Sequence, residues 1–199
     1  MIPEIKFYPS PIYESKWWDF RKIKPAKIDD ETFQLLVQQI KSRKSLFEEY
    51  LRDMTNILGI TWKRKEIEVW MVSLNIGCFS RPLTLSFSKQ NNQPRDVDHI
   101  IDDLTHELIH NALIEQPNYN NAIERLSKDF ESEPFRMHVH VLVHAVHAII
   151  YKTKRGTQRM EWDISNSQNY PPYQRAWEVV QKEGAENILG KYLGVKLRE

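Results

Sequence analysis

Cysteine is nearly absent from this sequence: Cys78 stands alone among 199 residues. A single thiol excludes an internal disulfide framework and a cysteine-built zinc site. Any transition metal would have to be held by histidine and carboxylate. Charge of one sign is also lacking, with 28 Lys and Arg against 27 Asp and Glu and a net charge of +1. A balance so near zero gives no electrostatic footprint for nucleic acid or an anionic membrane, so neither is an expected partner. Long apolar runs are missing as well. The best of them, VHVLVHAVHAII at 139–150, is about half the roughly 20 residues that a membrane helix needs. The first twenty residues, MIPEIKFYPSPIYESKWWDF, hold no basic segment followed by an apolar one, so they do not read as a secretory leader. Repeats and low-complexity tracts are absent too. These absences together predict a soluble cytoplasmic protein, and the length suits one domain, 1–199.

Residues 1–28 carry four of the ten prolines together with Trp17 and Trp18, and they read as an irregular arm on a body formed by 29–199. Asp29 or Asp30 caps a helix whose apolar positions Phe33, Leu36, Val37, Ile40, Phe47, Leu51, Met54 and Leu58 recur at helical spacing until Gly59. KEIEVWMVSLNIG is rich in β-branched and aromatic residues, and PLTLSFS alternates apolar with polar. These two segments predict a hairpin over 65–88, turning near Gly77. Helices are expected over 96–114, near 121–130, over 135–152 and over 172–182, with KTKRGTQ as a basic turn. Strands early and helices late give an α+β fold with a small early sheet packed on helices.

Histidine is what the sequence does have. Four of its seven histidines, His138, His140, His144 and His147, fall in an otherwise apolar segment, and His99, His106 and His110 cluster earlier. Residues 105–110 read THELIH, an H-E-x-x-H inside a predicted helix. Positions i and i+4 share a helix face, so His106 and His110 can bind one metal ion together. Glu107 beside them is placed to take a proton from a water held by that metal.

The motif and its uncharged inner positions Leu108 and Ile109 resemble those of the zincins, the HExxH zinc metallopeptidases. The resemblance covers a strand-then-helix core of roughly fifty residues. It implies a zincin-like fold, a Zn²⁺ cofactor, Glu107 as general base and a peptide or protein substrate. It leaves the third ligand open. Leu113 and Gln116 stand where the metzincin extension requires Gly and His, and the glutamate signature of thermolysin-like enzymes is missing, although Glu131 and Glu133 lie downstream.

On a helix, His140, His144, His147 and Tyr151 form one stripe, among residues apolar enough to be buried. His144, central on that stripe, is the expected third ligand. His140 would then orient a ligand or Glu107, or donate to the transition state, and His138 falls off the stripe. Glu178 in RAWEVV is the competing ligand, its bland alternative being an exposed carboxylate paired with Arg175 or Lys182; Glu161 is a weaker candidate. Asp103 can accept the ring N–H of His106, and Arg136 and Tyr151 flank the stripe where an oxyanion would need a donor. PLTLSFS can serve as a sheet edge that pairs with a peptide backbone. If both His140 and His144 bound the metal, four ligands would close the site. The protein would then be a metal-stabilised interaction protein rather than a hydrolase.

Overall fold

The computed structural model describes residues 1–10, 14 and 26–196; Trp17 and Trp18 lie outside them. In chain order the described elements are β1 (Glu4–Pro9), α1 (Asp30–Ser42), α2 (Lys44–Leu58), β2 (Glu66–Val72), β3 (Phe79–Ser80), β4 (Leu83–Ser86), α3 (Val97–Glu115), α4 (Tyr119–Asp129) and α5 (Phe135–Ile150). A π-helical turn (Tyr151–Arg155), α6 (Thr157–Ser167), α7 (Pro171–Glu183), α8 (Ala185–Ile188) and a second π turn (Leu189–Leu193) follow. The α+β class is as expected. The chain forms two compact units, Met1–Leu51 with Arg64–Leu108, and Arg52–Lys63 with Ile109–Glu199. Helices α2 and α3 run unbroken through the division and contribute to both.

The first unit is built on a four-stranded mixed sheet of order β1-β2-β4-β3. Part of the expected arm is therefore a strand: β1 pairs in parallel with β2, Ile5 opposite Ile67 and Phe7 opposite Val69. The expected hairpin is also corrected. β2 and β4 are neighbours, but they pair in parallel, Trp70 with Thr84 and Val72 with Ser86. The reversal occurs later, where β3 folds back antiparallel on β4 through Arg81 and Pro82. All four residues of β4 are buried, the signature of an interior strand covered on both faces. PLTLSFS is thus no sheet edge; β3 occupies that position.

Asp29 caps α1, accepting from the Thr32 amide at 2.8 Å. All eight apolar positions expected on the early helix are buried, but they lie on two helices interrupted at Arg43 (φ −92°, ψ 12°). The interruption falls in the polar stretch KSRKS, where no apolar residue ties the helix to the core. Phe33 packs edge-on against Phe87 with ring centroids 5.5 Å apart.

In the second unit α5 is the central element, packed against α4, α7 and α8. Its Met137, Val141, Leu142, Val143, Ala145 and Val146 are fully buried. α2 ends in this unit at Gly59, whose φ of +61° allows Ile60 N–H to reach back to Thr55 O at 3.2 Å, a left-handed helix stop that glycine adopts without strain. α6 begins at Thr157, inside the expected basic turn KTKRGTQ, and runs through a stretch with no helix signal of its own. No helix among the described residues is long and apolar enough to cross a membrane.

Candidate metal centre

Asp96 starts α3 by accepting from the amides of Asp98 (2.9 Å) and His99 (3.4 Å), the orphan donors of a first helical turn. Ile100, Ile101, Leu104 and Leu108 bury one face. That fixes the helix rotation and leaves His106 and His110, one turn apart, half-buried on another face.

The third imidazole comes from α5. His106, His110 and His140 each offer a ring nitrogen, and these atoms all lie within 4.8 Å of one another. Three nitrogens bound to one zinc at about 2.0–2.1 Å would be separated by roughly 3.4 Å, so small side-chain rotations bring the group onto an ion. The His110 and His140 rings meet edge to face at 5.1 Å. His140 Nδ1 lies 2.7 Å from the Arg136 carbonyl. A carbonyl only accepts, so Nδ1 carries the proton and the lone pair is on Nε2, the atom a metal requires. Burial lowers the pKa of His110 to about 4, and burial with the neighbouring His110 lowers that of His140 to about 3. Both are neutral at pH 7, as ligands must be. The donor set therefore fits a divalent transition metal.

The structure gathers His140, and not the expected His144, with the His106–His110 pair. The stripe itself forms as expected, but its register along α5 sets the turn bearing His140 against α3. His144 sits one turn further on, stacked against Trp177 at 4.4 Å and 14°. His147 stacks on Tyr151 at 4.1 Å and is fully buried; neither belongs to the group. Tyr151 lies in the π turn, too far along the stripe to meet an oxyanion beside His140. His138 is a satisfied core residue, its Nε2–H donating to the Phe130 carbonyl (3.0 Å) and its Nδ1 accepting from the Ser127 hydroxyl (3.1 Å). Glu178 is an exposed helix carboxylate paired with Arg175 at 2.9 Å, and Glu161 is exposed. Asp103 pairs with Arg95 at 2.5 Å and accepts from Cys78 Sγ at 3.1 Å.

Glu107 is buried, only 8 % exposed. Burial, and secondarily the charge of Asp103 one turn earlier, push its carboxyl up to about 8. A divalent ion on the adjacent histidine would act in the opposite direction.

Two residues packed on the histidine stripe escaped the sequence reading. On α7, Tyr173 stacks on His140 with centroids 3.9 Å apart and planes at 27°, and Trp177 covers His144 in the same way. The signal for them was present: Tyr173 and Trp177 share the i,i+4 spacing of His140 and His144. An apolar cavity of about 170 Å³ bounded by Ala148, Ile149, Ile164, Trp177 and Val180 contains none of the three histidines.

No family model, curated protein or solved structure matches the chain.

Proposed function

We propose that the protein is a zinc-dependent hydrolase, a peptidase of zincin-like architecture, in which His106, His110 and His140 hold the metal and Glu107 is the general base. The observation that carries this reading is the arrival of a third neutral imidazole, from a separate helix, beside the H-E-x-x-H pair. Three protein ligands are the complement of a catalytic zinc, which keeps a fourth position for water. His106 and His110 are only half-buried, in keeping with a site that substrate can reach. The small sheet that precedes the motif helix suits a zincin-like fold.

Zinc bound there supplies Lewis acidity and a water whose pKa falls to roughly 7. The chain supplies the rest. His106, His110 and His140 would hold the ion through their ring nitrogens, with His140 kept in its tautomer by the Arg136 carbonyl. Glu107 takes the proton of the attacking water and returns it to the departing amine, the ordinary double duty of a general base. The substrate is a peptide or protein, and a cytoplasmic location goes with a sequence that has one cysteine.

Glu107→Gln tests the assignment. The variant is expected to keep one zinc per chain and to lose hydrolysis of a quenched-fluorescence peptide library by at least about 10²-fold. Hydrolysis at the parent rate would overturn it.

A further inference from the structure

We infer that Tyr173 is a positioning residue for the metal, acting through His140, and that Trp177 and His144 form the next rung of the same stack. The inference rests on the reading of His106, His110 and His140 as ligands, and all four residues of the stack lie in the second unit.

On α5, His140 and His144 are four residues apart; on α7, so are Tyr173 and Trp177. Tyr173 meets His140 and Trp177 meets His144, so α5 and α7 run in the same direction and the two i,i+4 pairs pack ring on ring. Tyr173 also meets the edge of His144, with centroids 6.0 Å apart at 89°. The His140 and His144 rings are 5.5 Å apart and tilted by 66°.

An imidazole ligand has two soft torsions, and its nitrogen is aimed only when both are fixed. The bond from Nδ1–H to the Arg136 carbonyl acts in the plane of the ring. It holds one edge but leaves the ring able to swing about that edge. The Tyr173 face at 3.9 Å removes that swing. Of the three histidines, His140 alone is buried, and it comes from a different helix from the other two. Its aim is therefore set by the packing of α5 on α7 as well as by its own backbone. Groups that orient a ligand histidine in this way are as much a part of metal affinity as the ligand itself.

The test is Co²⁺ and Zn²⁺ binding to the full chain, followed by the visible absorption of bound Co²⁺ and by competition with a chromogenic zinc chelator. Tyr173→Phe keeps the ring and is expected to match the parent in affinity and spectrum. Tyr173→Leu keeps an apolar side chain without a ring. It is expected to bind Zn²⁺ about 10- to 100-fold more weakly, with altered cobalt bands. Tyr173→Ala is expected to behave as Tyr173→Leu does; because Leu fills more of the space, it also serves where the alanine variant does not fold. Circular dichroism of the metal-free proteins checks that the helices persist. If Tyr173→Leu folds and binds both metals as the parent does, Tyr173 has no positioning role. If Tyr173→Phe is as weak as Tyr173→Leu, the hydroxyl and not the stack is responsible, and the inference is overturned. If the parent itself binds neither metal, the ligand assignment fails and takes this inference with it.

Discussion

A histidine that binds metal and one that fills a core can carry the same burial and differ only in what their nitrogens meet. His140 and His144 are both buried and one helical turn apart, yet only His140 lies with His106 and His110. His140→Ala is therefore expected to abolish stoichiometric zinc binding, read by elemental analysis after desalting. His144→Ala is expected to retain the zinc and instead to lose about 1–3 kcal/mol of stability in urea titration, the ordinary cost of an emptied core position. The pair at i,i+4 was legible in the sequence because helix geometry alone places His106 above His110. Which turn of the second stripe would face them was not. That depends on how far α5 is shifted along its axis, which the chain between Gln116 and Pro134 sets and no periodicity reveals. Glu178, by contrast, pairs with Arg175, one of the two neighbours the sequence offered as its bland alternative.

At the scale of elements, α5 carries a buried base that neutral pH conceals. His147 is 1 % exposed, and burial, with the like charge of Arg155, lowers its pKa to about 3. Asp163 from α6 lies 3.9 Å away, beyond hydrogen-bond range, while Tyr151 stacks on its face and His144 stands one turn before it. The carboxylate does not offset desolvation, so His147 is neutral when folded. In the unfolded chain it titrates near 6.5. Below that pH the unfolded state takes up a proton that the folded state refuses, so stability is full above about 6.5 and falls as pH drops toward 3. The slope is at most about 1.4 kcal/mol per pH unit for this one group. Urea midpoints at pH 7.5 and 5 should show the loss, and His147→Gln should reduce it; an unchanged pH dependence in the variant would assign the loss elsewhere. At the end of α2, Gly59→Ala should lower stability by about 1 kcal/mol, because φ is +61° while nothing crowds the added Cβ. Long, strongly periodic helices were legible, α3 and α5 nearly to their ends. β1, the direction of β4 and α6 were not. β1 is a six-residue strand in a proline-bearing stretch. A parallel pair joined by ten residues looks like a hairpin until β3 is seen to take the turn, and α6 begins directly after a glycine with no side-chain cap.

For the molecule as a whole, each unit has a core of its own that needs no ion. The first is a sheet carrying Ile5, Val69, Met71 and Leu85, and the second surrounds α5. An open, catalytic metal site then adds stability only by mass action, about 2.7 kcal/mol when free zinc is a hundredfold above its dissociation constant. Stripping zinc with a chelator should lower the melting temperature by several degrees while leaving the far-ultraviolet dichroism in place. Unfolding on chelation would instead favour a closed structural site, the behaviour of small domains that fold only around their metal. The most direct test of the central claim is zinc K-edge absorption of the zinc-loaded chain. The expected result is three imidazole nitrogens and one further light atom at about 2.0–2.1 Å, with no sulfur. Four imidazoles, or no stoichiometric zinc, would contradict an open site held by His106, His110 and His140.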